Sequence, residues 1–336
     1  MPGTENSARD VRPAQARAPR ILCAGIIVLD EVFYVENLPP PDGKVEAKEF
    51  FIVNGGCAAN AAVTVARLGG RAMLAGPMGS DANGDFVLAA LAREKVDCAA
   101  CQRVPGLATA LSAIFIDARG DRTIVTHRDE RVAAVIPSDP EALAAAADIV
   151  LADNRFPVFV GPICAAARRR GLRIVLDADK RTVVDDPLLR IATHVVFSSE
   201  CLIATAGCAD LAEGLRRVAR YTDSFLAVSN GPNDILFLEE SLLRRVPVFA
   251  IRAVDTLGAG DALHGGFALA LAEGRGEAAA LRFAAAVAGL KCTRLGGSAG
   301  LPTRAEVDAF MAQYDREAAG RRGEAGSGLD LEYFSI

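Results

Sequence analysis

The sequence predicts an α/β fold: a mostly parallel central sheet with helices on both faces and a small β-strand lid. Three observations carry this expectation. From residue 147 onward, short apolar runs alternate with helical segments: ADIVLA (147–152), a helix over 162–170, RIVLD (173–177), HVVFS (194–198), a helix over 211–221 and FLAVS (225–229). Such alternation gives parallel strands joined by crossover helices that cover both faces of the sheet. Second, two strand-rich stretches, 32–53 and 110–127, interrupt the amino-terminal half and would pack together over the cleft as a lid. Third, Asp255-Thr256-Leu257-Gly258-Ala259-Gly260-Asp261 runs straight into an apolar stretch of helix length, the layout of an anion site at a helix N-terminus.

In chain order, ILCAGIIVL (21–29) is a continuous apolar run with β-branched residues and predicts one buried strand closed by Asp30. The 32–53 stretch contains Pro39, Pro40, Pro41 and the Asp42-Gly43 pair, so extended strands joined by a turn are expected rather than a helix. Asn54-Gly55-Gly56 is a turn. An alanine-rich helix follows over 58–68, stopped by Gly69-Gly70, then a strand over 72–77, a loop over 79–84 and a helix over 86–95. LSAIFID and RTIVTH form a hairpin around Ala118-Arg119-Gly120-Asp121. After the alternating section, 235–250 reads as a strand meander, and two long apolar helices cover 261–272 and 277–290. A single domain over 20–315 is expected, between a disordered leader (1–19) and a disordered tail (316–336).

Composition narrows the function. Of the 336 residues 51% are hydrophobic, enough for a large core, and the formal net charge is −5. That balance disfavours nucleic acid or an anionic membrane as the main partner, since either needs a basic face. No apolar run reaches the ~18 residues of a spanning helix, and the first nineteen residues hold no apolar signal core. A cytoplasmic protein acting on a small molecule fits best. The eight cysteines follow no regular framework and read as reduced thiols, Cys98-Ala-Ala-Cys101 included. Three scattered histidines do not suggest a histidine-built metal centre or triad.

The chemistry centres on 255–261. Small residues at 258–260 let the chain turn tightly and leave the amides of Gly258, Ala259 and Gly260 free for an anion. Asp261, in the first helical turn, places a carboxylate beside them, able to deprotonate an alcohol next to a phosphate. Other phosphate-handling patterns are missing. There is no GxxxxGK[ST] loop and no GxGxxG fingerprint, and His127-Arg128-Asp129 lacks the asparagine of a protein-kinase catalytic loop, position 134 being alanine.

The run at 255–261 resembles the signature of the ribokinase (PfkB) family of carbohydrate kinases, and separated segments agree with it. Asn54-Gly55-Gly56-Cys57-Ala58-Ala59-Asn60 resembles the amino-terminal family signature. The resemblance implies a ribokinase-like fold, ATP with Mg²⁺, and sugar hydroxyls held by Asp30, Gly55, Gly56 and Asn60. It implies Asp261 as the base, with Gly258, Ala259 and Gly260 as the anion cradle. Val228 to Asp234 lies where the family has a loop that contacts ATP, which puts Ser229, Gly231, Thr256, Gly258 and Gly260 on the nucleotide side; Asp234 departs from the family glycine. Residues 284–302 resemble the segment that flanks adenine, and with Asp255 they imply a monovalent cation such as K⁺ near Asp255, Arg294 and Gly296. The NxxE magnesium motif is replaced by Ser198-Ser199-Glu200-Cys201, leaving Glu200 as the candidate magnesium ligand.

Within the family, CAGIIVLDEVFYVENLPPPDGK, ADNR and GLKCTRLGGSAGLP are similar to the bacterial sulfofructose kinase branch. That likeness implies an anionic or ketose sugar such as sulfofructose or fructose, its anionic head held by Lys44 and Arg155. Thr126 stands where the branch has asparagine. A non-catalytic sugar or nucleotide sensor on the same fold and a nucleoside kinase are the alternative readings. A strand-built lid leaves a face to cover, so a homodimer through lids is expected.

Overall fold

The structure is a computed structural model that describes residues 17–324, with side chains to residue 318. The chain runs β1 (Arg20–Ala24), β2 (Val28–Val35), β3 (Ala47–Gly55), α1 (Cys57–Arg67), β4 (Arg71–Gly79), α2 (Ala82–Arg93), β5 (Asp97–Val104), β6 (Ala110–Ile116) and β7 (Arg122–His127). It continues α3 (Pro140–Ala146), β8 (Ile149–Asp153), α4 (Pro157–Arg169), β9 (Arg173–Ala178), α5 (Pro187–Ile191), β10 (His194–Ser198), α6 (Ser199–Ala206) and α7 (Leu211–Val218). The last elements are β11 (Phe225–Asn230), β12 (Asn233–Glu239), β13 (Leu242–Val246), α8 (Ala259–Ala272), α9 (Glu277–Cys292) and α10 (Arg304–Glu324).

Nine strands form one sheet in the order β13-β12-β11-β10-β9-β8-β1-β4-β5, parallel except for β12 and β13. Its central strands are apolar on both faces because both are covered. In β1, Ile21 and Cys23 face the core beneath α1, α8 and α9, while Leu22 and Ala24 face the core beneath α4, α6 and α7. Four strands, β3-β2-β6-β7, make the separate lid sheet. One lid face is a small core of Val32, Tyr34, Ile114 and Ile116, with Phe51, Val53 and Leu257 packed against it.

The expected single strand over 21–29 is two strands in two sheets. The chain breaks at Gly25, where a Cβ would lie 1.9 Å from Asp153 Oδ2, and leaves the central sheet for the lid. Asp30 therefore sits inside β2, opposite Val53 and Ser112, and closes no strand. The lid likewise spans Val28 to Gly55 rather than 32–53, and its second half matches 110–127.

Several helices begin earlier than expected or were not foreseen. α2 starts at Ala82 because the Asp81 carboxylate accepts the Gly84 amide hydrogen at 2.9 Å. α4 starts at Pro157, whose fixed φ suits a first turn, and carries Pro162 inside it. β5, α3, α5, α6 and α10 had no counterpart in the sequence reading. α10 makes residues 316–324 helical, against the expected disordered tail; its Val307 is buried, and Phe310, Met311 and Tyr314 pack on the core. Of the leader, Arg17 pairs with Asp148 at 3.0 Å. The remainder of the expected leader (1–16) and tail (325–336) lies outside the described residues.

Candidate active site

The 255–261 motif is the entry to α8. Gly258 caps the helix in the left-handed region (φ 77), a conformation that favours glycine, and a Cβ there would face Asn60 Nδ2 at 3.6 Å and Asp261 Oδ2 at 3.8 Å. The cradle differs from expectation in one amide. Ala259 N–H is taken by the Thr256 carbonyl at 3.2 Å, whereas the N–H groups of Gly258, Gly260 and Asp261 meet no acceptor among the described residues. Three amides therefore point from a helix start, but they are not the three foreseen.

Asp261 is half-buried and is tied to the sugar-side candidates. Asn60, buried in α1, donates from Nδ2 to Asp261 Oδ2 at 2.7 Å, and Asn54 Nδ2 reaches Asn60 Oδ1 at 3.4 Å. Gly55 leaves room for Asp30, whose Oδ2 would lie 1.9 Å from a Cβ at that position. Gly56 caps α1 at φ 92 with its Cα hydrogen against the Ile26 carbonyl, where a Cβ would sit at 2.5 Å. Asp30, Gly55, Gly56, Asn60 and Asp261 thus form one cluster where β2, β3, α1 and α8 meet.

Burial and crowding of like charges shift these acids. Burial, then the charge of Asp261, push Asp30 up to about 7 against the Ser112 hydroxyl. Burial pushes Asp177 up to about 7, with His264 opposing, and Asp153 up to about 6, with the Ile26 and Arg155 amides opposing. Asp261 is also raised, by burial first, while the Asn60 bond and the His264 charge hold it down. A carboxyl lifted in this way is a better proton acceptor than a solvated one.

His264 and Asp177 escaped the sequence reading. Within α8, His264 Nδ1 lies 2.7 Å from the Gly260 carbonyl; Nε2 lies 3.1 Å from the Val196 carbonyl and 3.5 Å from Asp177 Oδ1. All of these neighbours are acceptors, so the ring is satisfied when both nitrogens carry hydrogen. Burial pulls its pKa down, but Asp177 and the two carbonyls outweigh it and leave it raised. The result is a histidine beneath the Gly260 turn whose surroundings favour its protonated form. A buried histidine four residues after a motif glycine, inside a helix of otherwise apolar residues, was the available signal.

The remaining candidates divide. Arg155, at the end of β8, is ion-paired with Asp179, and its Nε is buried without a partner among the described residues. Lys44 is exposed on the loop between β2 and β3 and makes no hydrogen bond or ion pair among the described residues. Ser229 donates to the Phe197 carbonyl at 3.3 Å, and Gly231 (φ 54) makes the turn between β11 and β12, so the expected nucleotide loop is a hairpin turn. Thr256 accepts from Arg122 of β7 at 2.7 Å, which ties the lid to the motif.

Glu200 is exposed in the first turn of α6 and converges with no other acid. The groups that do converge are Cys57, Asp177 and Asp261, whose ligand atoms lie within 4.8 Å of one another. A thiol suits Mg²⁺ poorly, and Asp177 already faces His264, so these side chains do not build a magnesium cage. Nor do Asp255, Arg294 and Gly296 leave a place for a diffusible cation. The Lys291 ammonium lies between them, 2.9 Å from Asp255 Oδ2 and 3.5 Å from the Arg294 carbonyl. The Arg294 side chain turns away to Glu306 at 2.7 Å, and Gly296 N–H is taken by the Tyr34 hydroxyl at 2.7 Å. Burial would raise the Asp255 carboxyl, but Lys291, the Leu257 amide and the Tyr34 hydroxyl together leave it lowered.

Comparisons with known proteins bear on the family and the fold. Residues 18–304 match the model of the pfkB family of carbohydrate kinases. The chain is 26% identical over 295 residues to a ribokinase of Haemophilus influenzae, covering 85% of this chain and 96% of that one. It superposes on a crystal structure from Agrobacterium tumefaciens, provisionally assigned as a ribokinase, with a TM-score of 0.85 and 36% identity over 89% of this chain and 99% of that one. A fructokinase from Xylella fastidiosa with bound ATP gives a TM-score of 0.71 and 25% identity, covering 88% and 99%. A helix-start anion site with a lifted acid, joined to a polar cluster beneath a strand-built lid on this fold, is what a sugar kinase requires, and the chain belongs to the pfkB family of carbohydrate kinases.

Proposed function

We propose that the chain transfers the γ-phosphoryl group of ATP to a hydroxyl of a small sugar, with a ketose bearing an anionic head, such as sulfofructose, as the first candidate and fructose as the neutral one. The observation that carries this is the Asn60–Asp261 contact, which joins the hydroxyl-binding cluster to the carboxylate at the anion cradle. The sugar hydroxyl lies between Asp30, Asn60 and Asp261. Asp261 accepts its proton as the oxygen bonds to phosphorus and the bond to the ADP oxygen breaks. The transition state spreads charge over the transferring oxygens, so the amides of Gly258, Gly260 and Asp261 and the positioning of both reactants supply most of the acceleration.

Arg155 and Lys44 are the proposed holders of the anionic head. Arg155 has the fork that matches a sulfonate, phosphate or carboxylate and one unsatisfied donor; Lys44 is free on the lid loop. The nucleotide occupies the side formed by Ser229, Gly231, Thr256 and the α9 end. Mg²⁺ travels with its phosphates and water, a mode in keeping with that ion's reluctance to dehydrate. We place the protein in the cytoplasm, where ATP is supplied and where its eight free cysteines are stable as thiols. No helix among the described residues is long and apolar enough to cross a membrane.

The outer lid face carries Phe33 between Phe50 at 4.7 Å and Phe115 at 5.3 Å, beside exposed Ile52 and Val125. We infer that it packs against a second copy. A single domain over 20–315 under that lid accounts for the continuous cores.

The test is ADP release with fructose, sulfofructose, fructose 6-phosphate, ribose, 2-keto-3-deoxygluconate and adenosine. Turnover highest with an anionic ketose supports the reading. Turnover confined to adenosine would replace it with nucleoside phosphorylation, and ligand-dependent thermal shifts without turnover would mark a binding protein.

A further inference from the structure

We propose that the Lys291 ammonium is a built-in cation of the reaction loop, taking the place of a diffusible monovalent ion on Asp255. Lys291 lies in the last turn of α9, and none of its surface reaches solvent. Its Nζ sits 2.9 Å from Asp255 Oδ2, 3.0 Å from the Asp255 carbonyl and 3.5 Å from the Arg294 carbonyl. An ammonium has one positive charge and three hydrogens; here it meets one carboxylate and two carbonyls, so charge and donors are matched together.

A diffusible monovalent cation at this place would need the same oxygens, and those oxygens come from the two loops that flank the proposed nucleotide side. Lys291 bridges the loops with a group that cannot dissociate. The Asp255 carboxylate carries a single negative charge that Lys291 already balances. A second cation would bring uncompensated charge into a site with no water-exposed side chain to share it.

The effect reaches the cradle through Asp255. Its Oδ1 accepts the Leu257 amide hydrogen at 2.8 Å, which shapes the turn into Gly258. Its Oδ2 accepts from the Tyr34 hydroxyl at 2.7 Å and from Gly297 N–H at 3.2 Å. One tethered charge therefore fixes the turn that presents the amides, the carboxyl-terminal loop and a lid strand. Lys291 is a positioning residue: its contacts are to Asp255 and the loops. The functional half of this inference rests on the kinase reading above; the structural half does not.

The experiment compares the protein in potassium chloride with the same protein in tetramethylammonium chloride at equal ionic strength, by sugar-dependent ADP release and by melting temperature. A cation that binds the native state raises the melting temperature by mass action. The expected result is turnover within about twofold in the two salts and indistinguishable melting. Lys291→Ala opens the oxygen set, so that variant is expected to melt lower in tetramethylammonium and to recover both stability and turnover as potassium is added. A several-fold potassium activation of the parent protein, or a clear rise in its melting temperature with potassium, overturns the proposal. So does a folded Lys291→Ala variant that ignores potassium. Should that variant fail to fold, the comparison on the parent protein decides alone. A chain that melts alike in both salts but phosphorylates no sugar retains the tethered cation and loses the kinase reading.

Discussion

Replacing Asp261 with asparagine separates catalysis from stability. The amide keeps the shape of the carboxylate, and its oxygen still accepts the Asn60 Nδ2 hydrogen that now reaches Asp261 Oδ2 at 2.7 Å. What disappears is the proposed base and a charge. A positioned general base contributes about 10²–10⁴ in rate, so kcat falls by about 10² or more, equivalent to about 2.7 kcal/mol of transition-state stabilisation. Stability moves the other way. Asp30, Asp153 and Asp177 are buried carboxyls whose ionisation the Asp261 charge opposes. Without it each ionises more readily, while His264 keeps Asp177 as its counter-charge at 3.5 Å. Relief of such functional repulsion stabilises by about 1 kcal/mol, which shifts Tm upward by about 2 °C in a chain of this size. The assay pairs coupled ADP release at saturating sugar with calorimetry at pH 7.5. Turnover within tenfold of the parent protein, or a variant melting several degrees lower, refutes the reasoning.

Stability of the ligand-free protein is expected to fall as pH rises across neutrality. Asp30 and Asp177 at about 7 and Asp153 at about 6 exceed the ordinary 3.8, so their contribution is full below the unfolded value and lost as pH climbs through 6 and 7. Melting scans between pH 5 and 8 check this, and Asp30→Asn flattens the slope. Gly55→Ala puts a methyl where Asp30 Oδ2 now lies, so steady-state kinetics are expected to show a sugar KM raised at least tenfold with the ATP KM nearly unchanged. Arg155→Ala lowers kcat/KM for sulfofructose at least tenfold more than for fructose, since only the former presents an anion to the guanidinium. Phe50→Glu places a charge in the exposed aromatic lid face, and sedimentation is expected to show a monomer.

The long apolar helices α8 and α9 and the strands from β8 to β11 were legible because their burial is two-sided or helix-periodic over many residues. The break at Gly25 was not. Residues on both sides of it are apolar, and the cause is an approach to Asp153, more than a hundred residues away. α10 was hidden by a polar, charge-rich composition, although Val307, Phe310, Met311 and Tyr314 give it an apolar stripe at helical spacing. At the site, Asp30, Gly55 and Asn60 were assigned through the family resemblance and Asp261 through its place in the helix-start motif, and the four meet in space. Lys44 and Glu200 were assigned by position and form no contact with the cluster. Lys291 and His264 were passed over because a lone charge in an apolar helix is silent until its partner is known. Those partners, Asp255 and Asp177, sit on other elements.

The lid and the reaction loop are tied together at two points. The chain passes from β1 to the lid through the three residues 25–27, and Asp30 on the first lid strand belongs to the proposed sugar cluster. Tyr34, further along the same strand, hydrogen-bonds Asp255 at 2.7 Å, while Arg122 on the far lid strand donates to Thr256 at 2.7 Å. Both contacts fall on the first two residues of the motif whose last residue is the proposed base. Any displacement of the lid by a sugar seated on Asp30 therefore loads those two contacts. Asp255 cannot follow freely, because Lys291 holds it from α9 with no solvent to compensate a broken pair. The lid strands consequently move against an anchored turn, and the compliance lies in the exposed Arg122–Thr256 contact and the loop carrying Lys44. Sugar binding can thus order the lid edge while the cradle and Asp261 stay fixed, which is the preorganisation that phosphoryl transfer demands.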